Sequence, residues 1–473
     1  MQAYGGASVH ELTAVPARSN RAQRVAVVGS GYVGTVVAST QAFLGHHVVA
    51  VESARERLTA LRSGRLPFYE PGADELLTRA VDAGRLCFTD RIEDAMRASD
   101  VIFLCVGTPS GPDGHADVSA LASVASVIAG HIDAPKVLVT KSTVPVGSGE
   151  WLRTAIEDAM PRREYHGLFS VVSNPEFLRQ GSAVSDYLHP DRVVLGGDDA
   201  EAVERVVAIY RPILEQSFPG GNPECRPALV RTGLATAETV KYASNAFLAL
   251  KVSFANELAN ISELVGADVV DVMHAIGLDS RIGRRFLDAG AGWGGSCFGK
   301  DLGELIAAAE DHGYDAQLLR AARDVNYYQR RLVVNKLRRR LHGLRGRRVA
   351  ILGLSFKPAT DDLRDAPAVD IATALLASGA CVAAHDPVVQ SVPGLNGIRM
   401  APDPHDALDR ADAAVLLTEW PSYQDLVFEE VRDRMRGRLF VDARNFLDPA
   451  KIEAAGLEYD GMGRRVAATL TSA

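Results

Sequence analysis

Paired cysteines, long apolar runs and an excess of basic charge are all missing from this sequence. Its five cysteines (Cys87, Cys105, Cys225, Cys297 and Cys381) are odd in number, widely spaced and never arranged as CxxC. That excludes a disulfide framework and a CxxC-type zinc site, so no metal is expected. It points instead to the reducing cytoplasm. No stretch approaches the ~18 apolar residues of a membrane span, and no membrane partner is expected. Residues 1–23 carry acidic and basic groups without an apolar core. They are therefore no secretory signal, and a mobile tail is expected there. A net charge of −8 lacks the basic footprint of a nucleic-acid binder. What remains is an ordinary globular mix, 47% hydrophobic and 23% charged over 473 residues. That length predicts two or three domains at roughly 100–200 residues each.

Two stretches resemble each other. RVAVV at 24–28 and RVAIL at 348–352 each run into a glycine. Further apolar runs lie at 46–52, 100–106, 136–140, 169–173, 381–386, 413–417 and 438–443. Short apolar runs separated by helical segments predict parallel sheets built from βαβ units. The expected fold class is α/β: two doubly wound, Rossmann-like domains at 24–225 and 331–473, with a helical region between them at 226–330.

In that middle region Val240, Ala243, Phe247, Leu250, Phe254, Leu258, Ile261 and Val265 recur at steps of three and four. This predicts one long amphipathic helix, able to bridge two domains and to present a stripe to another subunit. Glu238, Lys241 and Asn245 share a separate polar face. Periodicity alone reads that face as solvated surface.

Gly29-Ser30-Gly31-Tyr32-Val33-Gly34 follows a strand and opens a helix. Its first glycine permits a tight turn, the second a close approach to a pyrophosphate, and the third close helix–strand packing. Glu52 ends the next strand, where a carboxylate binds a ribose 2′-hydroxyl and repels a 2′-phosphate, so NAD is expected over NADP. Arg57 lies toward the adenosine side, although a solvated helix face explains it as well. A second glycine-rich stretch, Gly292-Trp293-Gly294-Gly295-Ser296-Cys297, precedes Lys300 and Asp301. A cation beside a thiol favours the attacking thiolate. On chemistry alone an inert cysteine in a glycine loop fits equally.

The ordered motifs settle that balance. GSGYVG (29–34), CVGTP (105–109), KSTVPVG (141–147), SNPEFLRQG (173–181), PDRVVLGG (190–197), ETVKYASNAF (238–247), DSRIG (279–283), FLDAGAGWGGSCFGKD (286–301), GLSFKPATDDLRDAP (353–367) and TEW (418–420) appear in one order. Together they resemble the UDP-glucose 6-dehydrogenase branch of the UDP-glucose/GDP-mannose dehydrogenases, over nearly the whole chain. The resemblance implies oxidation of a sugar alcohol to a carboxylate with two NAD and one water, through a thiohemiacetal and a thioester on Cys297. It implies that Lys241 and Asn245 contact the reacting oxygen, that Asp301 and Thr143 hold a water, and that Glu176 is the base of thioester hydrolysis. It further places Phe177, Leu178, Arg179, Phe286, Leu287, Gly290 and Gly294 around the sugar nucleotide, Lys357 and Arg444 on its phosphates, and Arg281 at the substrate of a neighbouring subunit. Gly29, Gly31, Tyr32, Val33, Gly34, Glu52, Arg57, Thr108, Thr143, Gln180, Lys300 and Arg364 fall to the NAD side. Gln180 stands where the family usually has glutamate, Trp293 where Phe or Tyr is commoner, and Gly299 where proline is frequent. UDP-glucose is the implied substrate and a homodimer or larger homo-oligomer the implied assembly. GDP-mannose, a UDP-N-acetylhexosamine, or a catalytically silent NAD-binding role are the alternatives.

The carboxylate at 52 makes a direct prediction. The protein should prefer NAD strongly, and Glu52→Ala should weaken NAD while relaxing rejection of NADP. Comparable kcat/KM for the two cofactors in the natural protein would refute this reading.

Overall fold

The computed structural model describes residues 22–111, 113–161 and 166–464. Apart from residues 22 and 23, the tail expected at 1–23 lies outside them. The chain forms two compact units that meet in sequence between Ala243 and Ser244.

The first unit carries β1 (Arg24–Val28), β2 (His47–Val51), β3 (Leu86–Thr89), β4 (Val101–Leu104), β5 (Lys136–Thr140), β6 (Phe169–Ser173), β7 (Arg192–Gly196) and β8 (Ala228–Thr232). They form one sheet in the order β3-β2-β1-β4-β5-β6-β7-β8. All pairs are parallel except β6 with β7, which meet antiparallel at Ser173 and Gly196. Strands β1, β4 and β5 are almost wholly apolar and covered on both faces, as central parallel strands must be. β8 extends the sheet beyond the boundary expected at 225. Its sequence ALVRT is half exposed at the sheet edge, so no apolar run announces it.

The second unit repeats the scheme with β9 (Arg348–Leu352), β10 (Cys381–His385), β11 (Ile398–Met400), β12 (Ala413–Leu416), β13 (Leu439–Asp442) and β14 (Glu458–Gly461). Their order is β11-β10-β9-β12-β13-β14, all parallel. In each sheet the strand order reverses beside the first strand. Such a switch point leaves a crevice beyond the carboxyl ends of the strands. The motif segments lie there: GSGYVG after β1, Glu52 after β2, CVGTP after β4, KSTVPVG after β5 and NPEF after β6.

The helix Leu234–Val265 runs unbroken through the division between the units. Its faces are the reverse of the solvated reading. Glu238, Lys241 and Asn245 are buried, as are Ala246, Ala249, Ser253, Asn256 and Ala259. Phe247 (62% exposed), Phe254, Ile261 and Val265 face outward instead. Small side chains let neighbouring backbones approach, whereas the bulky stripe has no cover among the described residues. No described helix is long and apolar enough to cross a membrane.

Candidate active site

In the first unit the glycine turn is built as its spacing predicts. Gly29 has φ +95°, and an added Cβ would press on the Cys105 carbonyl. A Cβ on Gly34 would collide with the Gly29 carbonyl oxygen, while one on Gly31 would meet only open space. Gly31 is also the N-cap of the helix Tyr32–Phe43 and supplies no side-chain cap. A half-buried helix start beside open space fits a pyrophosphate. Glu52 is buried and accepts from Ala54 N at 2.7 Å and Arg57 Nη2 at 3.2 Å, both through Oε1. These bonds leave Oε2 for a ribose hydroxyl. Tyr32 donates its hydroxyl to Glu70, whose buried carboxylate also accepts Gly181 N and Ala183 N. Burial, together with Glu70, pushes the Tyr32 hydroxyl far above its ordinary value. Sequence spacing gives no sign of Glu70, because no rule links such a carboxylate to a glycine turn so far upstream. Thr108 Oγ1 donates to the Thr143 carbonyl at 2.6 Å, joining the loops after β4 and β5.

Lys241 Nζ lies 2.8 Å from Glu176 Oε1, with both groups buried. Leu178 N donates to the other oxygen of Glu176 at 2.6 Å, so Leu178 contributes its main chain. Phe177 is stacked by Arg192, whose guanidinium is 3.9 Å from the ring centre. Burial raises the Glu176 carboxyl, but Lys241, the Leu178 bond and Lys141 outweigh it and hold it below the usual range. Glu238, one turn before Lys241, accepts Gly147 N at 2.7 Å and Gly149 N at 2.8 Å. It thereby pins the long helix to the start of the helix Ser148–Ala159. Lys141 is wholly buried, bonded to Asn174 Oδ1 and Tyr210 OH at 3.1 Å each and flanked by the Tyr187 and Tyr210 rings. Burial lowers it to about 8, against the pull of Glu176 and Cys105. Arg179 is committed to Asp186, 2.5 Å away, and its side chain is largely exposed. Gln180 is half-buried beside it.

In the second unit Cys297 stands at the N-cap of the helix Phe298–Asp311, partly exposed. Cys105, by contrast, is buried and pushed up to about 12. Asp301 is fully buried; it accepts Asn245 Nδ2 at 2.5 Å and Lys300 Nζ at 2.6 Å. Lys300 therefore neutralises Asp301, and a cation whose charge couples to Cys297 is Arg364. Arg364 is itself held by Asp362. The expectation that the glycines open the backbone to a ligand meets a different arrangement at three of them. A Cβ on Gly294 would collide with the Asp365 carbonyl, one on Gly295 would meet the Phe356 ring at 2.8 Å, and one on Gly290 the Ala443 carbonyl at 2.7 Å. These glycines pack against the chain's own atoms. Leu287 sits in the core with Ala255, Ala259 and Met273. Phe286, at φ +65°, lies near the Phe298 ring. Arg444 Nε donates to Leu417 O at 2.7 Å and its Nη1 to Gly292 O at 3.0 Å. Lys357 is half-buried over Phe356. Arg281 is the most exposed of the set, paired with Asp279.

The two sheets share one turn and diverge after it. Gly29 N donates to Val51 O, and Gly353 N donates to His385 O in the matching place. In the first unit a helix begins at Tyr32. In the second the next helix begins only at Pro367, and Asp386, the counterpart of Glu52, is saturated by Leu354 N, Ser355 N, Ser355 Oγ and Trp420 Nε1. Only the first unit keeps a dinucleotide cradle.

The glycine turn of the first unit, with Glu52 after β2, fits the dinucleotide site of an NAD-dependent oxidoreductase. The chain belongs to the UDP-glucose/GDP-mannose dehydrogenase family. Its NAD binding domain matches residues 23–214, its central domain 235–328 and its UDP binding domain 350–449. The chain is 42% identical to a UDP-glucose 6-dehydrogenase of Rhizobium meliloti over 93% of this chain and 99% of the relative. It is 42% identical to one of Pseudomonas aeruginosa over 93% and 97%. A UDP-glucose dehydrogenase structure from Pyrobaculum islandicum superposes with TM-score 0.85 at 39% identity, covering 95% of this chain and 99% of that one. The cofactor is NAD.

These contacts set two expected outcomes. Gly31→Ala should keep stability within about 0.5 kcal/mol, its site being open, yet weaken NAD measurably by titration calorimetry. Gly34→Ala should lower the melting temperature as well, since its Cβ has no room. Equal melting temperatures for the two variants would refute the assigned roles. Lys141 supplies a pH signature. Its folded value, about 8, lies below its ordinary 10.5. Between those values the unfolded chain binds more protons, so the Lys141 contribution to stability rises with pH there and is flat below. Urea midpoints of the natural protein and Lys141→Met, compared at pH values below and inside that window, should diverge in favour of the natural protein at the higher pH. A constant difference would refute it.

Proposed function

We propose that the protein oxidises UDP-glucose to UDP-glucuronate, with Cys297 as covalent nucleophile, two NAD consumed and one water added. The observation that carries this reading is the helix turn from Lys241 to Asn245. Its first residue pairs with buried Glu176 and its last with buried Asp301, and Asp301 lies one turn after Cys297. A two-electron alcohol dehydrogenase has no use for the thiol or for a second carboxylate. The Rhizobium meliloti and Pseudomonas aeruginosa relatives are named for UDP-glucose, and the family's UDP binding domain matches the second unit.

Bound NAD supplies the hydride acceptor for both oxidations. In the first, C6 gives up its hydride and the C6 hydroxyl passes its proton to water, while the Lys241 ammonium and the Asn245 amide stabilise the developing charge on oxygen. Cys297 sulfur gives up its thiol proton and bonds to the aldehyde carbon as the carbonyl oxygen takes that proton, giving a thiohemiacetal. Loss of a second hydride, with the hydroxyl proton passing to water, leaves a thioester. Water adds to the thioester carbon, Glu176 accepts the water's proton, and the carbon–sulfur bond breaks to return Cys297 and release the carboxylate. Asp301 and Thr143 hold the water. Lys357 and Arg444 bind the nucleotide phosphates, and Arg281 serves the partner subunit. Phe247, Phe254, Ile261 and Val265 form the contact of a homodimer. The compartment is the cytoplasm, in keeping with five unpaired cysteines.

Two NADH should form per UDP-glucose, with free glucose and glucose 1-phosphate inert. Cys297→Ser should lose overall turnover. Glu176→Gln should stall after the second oxidation and accumulate an adduct on Cys297, seen by intact-protein mass spectrometry. A Cys297→Ala enzyme that still makes UDP-glucuronate at near-normal rate would sink the mechanism. Equal turnover of GDP-mannose would move the substrate to the sister branch.

A further inference from the structure

We propose that Asn326 and Arg330, one turn apart on the helix Gln317–Arg340, are the positioning residues of Cys297. The proposal rests on the reading of Cys297 as nucleophile. The five residues before Cys297 include three glycines, with φ +104° at Gly292 and +90° at Gly295. Such a backbone has little conformational preference of its own, yet a nucleophile must be held in a near-attack geometry. The restraint comes from outside the loop.

One side-chain amide clasps both main-chain groups of Trp293. Trp293 N donates to Asn326 Oδ1 at 2.7 Å, and Asn326 Nδ2 donates to Trp293 O at 3.0 Å. The same carbonyl accepts Arg330 Nη2 at 2.9 Å. Arg330 then reaches the 364–370 segment: Nη2 to Asp365 O at 3.2 Å, and Nη1 to Asp365 Oδ1 at 2.7 Å and Asp370 Oδ2 at 2.5 Å. That segment closes the circuit, because Gly295 N donates to Arg364 O at 3.0 Å. Arg364 carries the guanidinium whose charge couples to Cys297. The fork of Arg330 therefore fixes the loop that bears the thiol and the strap that bears Arg364.

The glycines are part of the same device. A Cβ on Gly292 would lie 2.5 Å from Asn326 Oδ1, and one on Gly294 would strike the Asp365 carbonyl. Asn326 is 0% exposed and Arg330 4%. A buried ion pair that only glued the helix to the strap would change stability and leave the thiol of folded molecules as it was. A positioning pair changes the thiol itself.

The test uses the full chain without substrate, so it is independent of which sugar is oxidised. Cys297 alkylation by iodoacetamide is followed by mass spectrometry of its peptide across about pH 6 to 9. In Arg330→Lys, which keeps the charge but loses the fork, the Cys297 rate should fall about ten-fold or its pH midpoint should rise. Asn326→Ser leaves the ion pair whole and opens only the amide clasp; it should show the same change in weaker form, and it carries the test should the lysine variant not fold. Folded variants whose Cys297 rate and pH midpoint match the natural protein would overturn the proposal, whatever their melting temperatures. Full turnover by Cys297→Ala would remove the nucleophile reading separately and leave the alkylation result standing.

Discussion

A buried carboxylate must be paired, and the helix Leu234–Val265 is built around that constraint. Glu176 receives Lys241 and Asp301 receives Asn245 and Lys300, while Glu238 is held by two main-chain N–H groups. Breaking one such pair leaves an uncompensated charge, a penalty of about 3–5 kcal/mol. The polar face must therefore point inward, and with it come the small residues Ala246, Ala249 and Ser253. The bulky apolar residues are left on the outside.

The two sheets show how one strand–glycine start can be put to different ends. Gly29 and Gly353 make the same bond to the strand alongside. The chain beyond each glycine decides its use. A helix begun at once, with a carboxylate oxygen left over, makes a dinucleotide cradle. A long loop that carries Lys357, and a carboxylate already filled by Ser355 and Trp420, make none.

The thiol obeys a related rule. Its loop is glycine-rich because Asn326, Asp365 and Phe356 press on it, so the freedom of the glycines is removed by the neighbours that require them. The adjacent Lys300 pairs with Asp301, and the segment bearing Arg364, distant in sequence, is tied to the loop through Gly295 N.

Sequence alone was enough for the α/β class, most of the strands, the length of the central helix and the glycine turn with Glu52, because each rests on local periodicity or on spacing within one βαβ unit. Its ordered motifs also named the family. It was not enough for β8, a half-exposed edge strand with no apolar run, nor for which face of the long helix is buried. Periodicity separates two faces but does not say which one finds a partner; that depends on Glu176 and Asp301 arriving from elsewhere in the chain. Glu70, Lys141, Asn326 and Arg330 were silent for the same reason. Each acts on a group tens of residues away, and only the tertiary fold brings a buried donor and its acceptor to bonding distance.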